Sequence, residues 1–241
     1  MDARAVRRFP PRALIVADRE LRPAEHHLSV ERSARYYQLG EVTSETREVW
    51  VVAHGYGQLA SRFITVFNTV ATASRVIIAP EGLSRFYVDR GSEPAAAAKV
   101  GASWMTREHR LQEITDYIAY LDAVYDRVTA TADRSRLRLT ALGFSQGVAT
   151  VARWIVRGRA RAARLIACGG LLPPELEASD FAKLRDADLI FVMGRRDESM
   201  SEALVAHEES RLRAHGVPTR AIWFDGGHEV GKGVIEELGR S

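Results

Sequence analysis

Ala141-Leu142-Gly143-Phe144-Ser145-Gln146-Gly147 is the stretch on which the reading of this chain turns. It has the pattern Gly-x-Ser-x-Gly, and its flanks give that pattern meaning. Upstream, residues 136–142 alternate Arg, Leu, Arg, Leu, Thr, Ala, Leu, which suits a strand entering a core. Downstream, Val148, Val151, Ala152 and Ile155 recur at helical spacing, and Gly158 stands where a helix would stop. The sequence therefore predicts strand, tight turn, helix, the context in which a serine hydroxyl is presented as a nucleophile. Gly143 and Gly147 carry no Cβ, so strand and helix can approach closely around a strained Ser145. The hydroxyl is pushed out at the amino end of a helix, whose dipole favours developing negative charge. The competing reading is a serine-containing turn in an ordinary α/β protein.

Working outward, several other segments have the signature of buried strands. Val49-Trp50-Val51-Val52-Ala53, Val76-Ile77-Ile78, Leu165-Ile166-Ala167-Cys168 and Leu189-Ile190-Phe191-Val192-Met193 are continuous apolar runs. Such runs suit a parallel sheet covered on both faces. Residues 220–224 form the last strand, and residues 27–39 alternate well enough for one or two antiparallel strands (Leu28, Val30, then Tyr36, Tyr37, Leu39). Between the strands lie helical patterns. Leu59, Phe63, Val66, Phe67 and Val70 mark one; Leu111, Ile114, Ile118, Leu121, Tyr125 and Val128 mark the clearest. Another runs from about Ser201 to Gly216, ahead of Pro218. Residues 82–105 are expected to be a long irregular insertion containing Phe86, Tyr87 and Trp104. The alternation of strands and helices gives an α/β fold with a mostly parallel central sheet and helices on both faces.

Composition narrows the function classes. The chain has 241 residues, 46% hydrophobic and 27% charged, enough for one large domain. Residues 1–24, with Pro10-Pro11, Pro23 and many charges, are expected to form a loosely ordered basic arm, and 25–241 a single catalytic domain. The arm holds six arginines against three acids, a net of +3, which equals the net of the whole chain; the body is neutral, 28 basic against 28 acidic residues. No basic stripe with interleaved aromatics is present in that body, which excludes a nucleic-acid module. No apolar run approaches the ~20 residues of a membrane span, and none serves as a signal-peptide core. The one cysteine, Cys168, allows no intrachain disulfide, and a reducing, cytoplasmic setting is expected.

A serine hydroxyl needs a base, and the base needs an orienting group. Of the seven histidines, only His228 lies in a Gly-rich loop (Asp225-Gly226-Gly227-His228) after a late strand. Active sites of open parallel sheets sit at the carboxyl edge, so His228 is the candidate base. The acid should fall between serine and histidine in chain order and leave the end of a strand. Asp197, four residues after Met193, fits, with Glu198 as fallback; Asp225 is too near His228 in the chain. Two backbone N–H groups must face the oxyanion of the tetrahedral intermediate. Gln146 supplies one, and His54-Gly55-Tyr56-Gly57 the other, through Tyr56 with Gly57 as rival. His54 is expected to brace that loop rather than react.

With these pieces in place, the chain resembles the phospholipase/carboxylesterase family of α/β hydrolases, whose relatives include acyl-protein thioesterases. The matching pieces are Val52-Ala53-His54-Gly55-Tyr56-Gly57, Ala79-Pro80-Glu81-Gly82, Gly143-Phe144-Ser145-Gln146-Gly147, the turn at Asp197, and Gly226-Gly227-His228-Glu229. Their order, with gaps of 52 (197 minus 145) and 31 (228 minus 197), is more specific than any one of them. The resemblance implies an α/β-hydrolase fold and a serine esterase or thioesterase with no metal or organic cofactor. Three departures stand out. Gln58-Leu59 follows the His-Gly-x-Gly turn where the family often has an acid, Phe86-Tyr87-Val88-Asp89 replaces its usual Trp-Phe-Asp, and an extra Gly101-Ala102-Ser103-Trp104-Met105 run precedes the long helix. These changes fall where substrate would be held, at a mouth expected to comprise Tyr56, Phe86, Tyr87, Trp104 and Leu171. The expected partner is a small apolar ester, with neither nucleic acid nor membrane insertion, in a monomer or homodimer. Thioester or lysophospholipid hydrolysis, peptidase, acyltransferase and dienelactone-hydrolase-like chemistry, and a non-catalytic binding protein on the same scaffold, are the other readings.

Overall fold

The continuous apolar runs become the inner strands of one sheet, because both of their faces are covered. The structure is a computed structural model that describes residues 23–88 and 98–240. The strands are β1 (Tyr36–Leu39), β2 (Glu48–Ala53), β3 (Arg75–Pro80), β6 (Arg138–Phe144), β7 (Arg164–Cys168), β8 (Asp188–Gly194) and β9 (Thr219–Phe224). They form a seven-stranded sheet in the order β1-β3-β2-β6-β7-β8-β9. Every pairing is parallel except that of β1 with β3. Successive side chains point to opposite faces of a strand. Val49 and Val51 of β2 accordingly join Leu139, Leu165 and Phe191 on one face, while Trp50 and Val52 join Ile77, Leu142 and Ile190 on the other. This is the α/β-hydrolase fold.

The helices divide between these faces. Packed on the first are α2 (Arg110–Val128), α3 (Gln146–Arg157), α4 (Ala178–Ala182) and α5 (Glu202–Ala214). The other face is covered by α1 (Ala60–Phe63), the 3-10 turn Ile64–Phe67 that prolongs it, and α6 (Lys232–Arg240). In α5, Ser201 caps the first turn by accepting from the Leu204 N–H, and Gly216 follows the helix with a φ of 74°.

Three expectations are corrected. First, residues 82–105 are not simply irregular: β4 (Ser84–Tyr87) and β5 (Val100–Ser103) pair antiparallel as a separate two-stranded sheet. Of the four consecutive alanines at 95–98, the first three lie outside the described residues. Second, residues 27–35 carry no strand, and Leu28 and Val30 are exposed; only Tyr36–Leu39 enters the sheet. Third, the buried stripe of α2 is Ile114, Tyr117, Leu121, Val124 and Val128, and Leu111 is 72% exposed. The sequence allows both stripes, and the position of the sheet selects one. The chain divides into two compact units, residues 1–33 and 34–241. Most of the first unit lies outside the described residues, as does most of the expected basic arm.

Candidate active site

The turn at Ser145 is held in the first place by main-chain hydrogen bonds and close glycine contacts. Ser145 takes a φ of 52° and a ψ of −116°, a conformation costly for a residue with a side chain. Its N–H donates to the Cys168 carbonyl of β7 at 2.9 Å, and its carbonyl accepts from the Val148 N–H at 3.0 Å. A Cβ on Gly143 would fall 2.3 Å from the Gly147 carbonyl oxygen, and one on Gly147 would fall 2.2 Å from that of Ala53. Strand β6, helix α3 and the end of β2 thus meet with no space for a methyl group, which is what the glycines supply.

The residues singled out from the sequence come together at the carboxyl edge of the sheet. Ser145 follows β6, Asp197 follows β8 and His228 follows β9. The His228 Nε2 is 3.0 Å from the Ser145 Oγ, and its Nδ1 is 2.6 Å from the Asp197 Oδ2. A carboxylate can only accept, so Nδ1 carries the proton and Nε2 is left as the acceptor for the serine hydroxyl. The acid and histidine loops are stitched together: Arg195 N–H donates to the Phe224 carbonyl at 2.9 Å and Arg196 N–H to that of Gly226 at 2.8 Å. The Arg196 guanidinium also pairs with Asp225, which occupies that acid on the surface. A Cβ on Gly194 would lie 2.2 Å from the Gly227 carbonyl oxygen, so these loops too are seated backbone to backbone. The fallback acid, Glu198, is exposed.

Asp197 is nearly enclosed, its side chain 1% exposed. Burial pushes its carboxyl up; hydrogen bonds from Ser199 and His228 outweigh that and hold it below the ordinary carboxylate value. Phe144 packs on the imidazole of His228, ring centroids 5.0 Å apart.

The loop after β2 is built around His54, which is fully buried. Its Nε2 accepts from the Gly82 N–H at 2.9 Å, so the proton is on Nδ1, which donates to the Gly55 carbonyl at 2.8 Å. Burial lowers its pKa, and the neutral ring uses both nitrogens to brace the loop. The Gly55 N–H donates to the Gln58 Oε1 at 2.8 Å. Gly57, the rival oxyanion donor, gives its N–H to the Ala102 carbonyl of β5 at 2.9 Å. That leaves Tyr56 as the candidate on this loop. Tyr56 is 61% exposed, and its ring packs on Phe86 at 5.0 Å between centroids.

Trp104 is corrected from mouth to core. It is 2% exposed, wedged between His54 and Tyr117, and its indole N–H donates to the His54 carbonyl at 2.8 Å. It belongs to a strap, residues 102–105, that grips both candidate oxyanion loops. Ala102 pairs with Gly57 and Gln58, and the Gln146 side chain bonds Ser103, Trp104 and Met105. The sequence offered only a hint of this, a tryptophan beside small residues that allow close approach. Phe86 and Tyr87 remain accessible and, with Arg85 and Val100, line a cleft of about 550 Å³. Leu171 is half-buried against the core, one residue after Gly170, which sits close to the Ser145 carbonyl.

Glu81 was not singled out as a site residue. It is the first residue after β3 and is buried, and its Oε1 accepts from Arg35 at 2.7 Å and Arg85 at 3.2 Å. Its signal was an acid directly after an apolar strand and a proline.

No family model and no curated protein sequence matches the chain. Its fold is that of several solved structures. The Zea mays acyl-protein thioesterase 2 aligns with a TM-score of 0.64 at 15% identity, over 86% of this chain and 97% of that one. A carboxylesterase from Mesorhizobium loti aligns with a TM-score of 0.64 at 17% identity, over 85% and 93%. A phospholipase/carboxylesterase from Dyadobacter fermentans aligns with a TM-score of 0.60 at 16% identity, over 88% and 98%. The shared architecture is the α/β-hydrolase fold, as the resemblance implied. Among the described residues, no helix is long and apolar enough to cross a membrane.

Proposed function

We propose that the chain is a serine carboxylesterase acting on short- to medium-chain esters through an acyl-enzyme. The observation that carries this reading is the hydrogen-bonded line Ser145 Oγ, His228 Nε2, His228 Nδ1, Asp197 Oδ2, with contacts of 3.0 and 2.6 Å. In the proposed reaction, Ser145 Oγ attacks the ester carbonyl while His228 Nε2 takes its proton. Asp197 holds the imidazole in the required tautomer and faces the positive charge that forms on it. The N–H groups of Tyr56 and Gln146 receive the oxyanion. The intermediate collapses as His228 returns the proton to the leaving alcohol. Water then attacks the acyl-enzyme by the same steps, with His228 as base, and the acid is released.

An apolar acyl or alcohol group suits the surfaces offered by Tyr56, Phe86, Tyr87 and Leu171. Activity needs no lipid–water interface in this reading: α4 is a single five-residue helix, and α2 commits its apolar stripe to the core. Acyl-thioesters would pass through the same intermediates, and the name of one structural neighbour makes them the second substrate class to assay.

The test is active-site labelling joined to a substrate panel. A fluorophosphonate is expected to add stoichiometrically at Ser145, and Ser145→Ala and His228→Ala to lose up to ~10⁶ in kcat on nitrophenyl esters. Labelling at another residue, or full activity in Ser145→Ala, overturns the reading. Esters of rising chain length beside an acyl-thioester then rank the substrates. A sharp rise in tributyrin hydrolysis at its solubility limit would contradict interface-independent action.

A further inference from the structure

Asp197 has two carboxylate oxygens, and they are used differently. Oδ2 faces His228 Nδ1 at 2.6 Å. Oδ1 accepts two bonds from a single neighbour, the Ser199 hydroxyl at 2.6 Å and the Ser199 N–H at 2.9 Å. The second of these closes a local turn of the kind an aspartate makes with the backbone two residues on. The first is at the short end for a hydroxyl on a carboxylate, as expected of a charge-assisted bond. Together they stop the carboxylate from rotating and exchanging its oxygens.

We propose that Ser199 is a positioning residue for the Asp197–His228 pair, its hydroxyl fixing Oδ1 so that Oδ2 alone is presented to the imidazole. This rests on the triad reading given above. Ser199 has no direct hold on the base: its Oγ lies 3.5 Å from His228 Nδ1, beyond useful hydrogen-bond length. Its influence therefore passes through the carboxylate. The electrostatics agree with the geometry, since Ser199 leads the interactions that counter burial and keep the Asp197 carboxyl below its ordinary value. A carboxylate that loses this donor becomes a stronger acceptor for the imidazole N–H. The imidazole is then protonated more readily, and the serine loses its base at a higher pH than before. The freed carboxylate is also less well aimed, which lowers the rate even where the base is neutral.

The experiment measures the rate of fluorophosphonate addition at Ser145 against pH in the full chain, for wild type, Ser199→Ala, Ser199→Gly and Ser199→Thr. Ser199 is solvent-exposed, and Ala and Gly retain the backbone N–H bond while removing the hydroxyl. For both, the plateau rate is expected to fall on the order of ten-fold. Their acid limb is expected to move upward by roughly half a pH unit. Ser199→Thr keeps a hydroxyl and is expected to bring the limb back. A role confined to the turn would lower the plateau and leave the limb in place. An unmoved limb in both Ala and Gly variants therefore overturns the proposal, whatever the plateau. If wild type is not labelled at Ser145, the triad reading itself falls and the proposal with it. Labelling at Ser145 with an unmoved limb removes only the role of Ser199.

Discussion

The indole N–H of Trp104 donates to the main-chain carbonyl of His54 at 2.8 Å, across a sequence separation of 50 residues. The bond fixes the start of the loop that carries Tyr56, and the same strap meets Gln146 through the Trp104 N–H at 3.1 Å. Trp104→Ala removes a buried aromatic and leaves the His54 carbonyl without this donor, a loss of ~3–5 kcal/mol by the usual cost of such truncations. Trp104→Phe keeps much of the volume and loses the bond. Its kcat on nitrophenyl esters is expected to fall with KM little changed, because an interaction made in the transition state is loosened. A KM effect without a kcat effect would return Trp104 to the substrate pocket.

Asp197→Asn presents an amide to His228 Nδ1 and favours the wrong tautomer. A loss of up to ~10⁴ in kcat with an unchanged fold is expected. Glu198→Gln, on an exposed side chain, should alter the rate only slightly. The Asp197 carboxyl is held below its ordinary 3.8, so what its charge contributes to stability is fully present above that value and is lost only as pH falls through its lowered one. Asp197 therefore stays ionised across the neutral range. Reversed results for the two variants would assign the acid to Glu198.

Gly147→Ala should be severe. The new Cβ would meet the Ala53 carbonyl oxygen at 2.2 Å, and backbone cannot step aside as a side chain does. Destabilisation at or above the upper end of the ~1–3 kcal/mol typical of overpacking is expected, together with loss of hydrolysis. Denaturant melts of the variant measure it, and a wild-type midpoint would contradict the close contact.

Glu175 joins the segment after β7 to two helices, through Arg153 of α3 at 2.7 Å and Arg110 of α2 at 3.0 Å. Partial burial pushes its carboxyl up, but the bond from Arg153 and the surrounding cations bring it down from 4.5 to about 2. With the folded value below the unfolded one, this stabilisation is complete above the unfolded value and fades as pH falls through about 2. Glu175→Gln should thus cost stability at neutral pH, with the gap to wild type closing under strong acid. A gap independent of pH would mean that packing, not charge, is what the variant removes.

Cys168 is fully buried, and burial pushes its thiol pKa up. Iodoacetamide at about pH 8 should leave the native protein unmodified and its hydrolysis intact, with one equivalent incorporated only after denaturation. Inactivation of the native chain by alkylation would mark Cys168 as reactive.

Ser145, Asp197 and His228 could be singled out because each falls within a few residues after the end of a strand, and parallel strands place such positions at one edge. The inner strands were legible through a double-sided burial that leaves continuous apolar runs. The hairpin β4–β5 was hidden, since Ser84–Tyr87 and Val100–Ser103 are short, half polar, and separated by a charged and alanine-rich tract. The place of Trp104 depends on that hairpin and was lost with it. Leu111 and Tyr117 show the limit of periodicity: both lie on plausible stripes, and only the sheet's position decides which is buried. Ser199 was visible two residues after an aspartate, but a turn bond and a bond that aims a base look alike until His228 is seen on the other oxygen.

The contacts of Gly147 with Ala53 and of Gly194 with Gly227 separate the geometry of the site from the packing of the core. Main-chain atoms seat the serine turn against β2, and the Asp197 loop against the His228 loop. Exchanges among the apolar side chains that fill the core act first on stability. A methyl group added at Gly147 or Gly194 instead displaces the backbone that carries Ser145, Asp197 and His228.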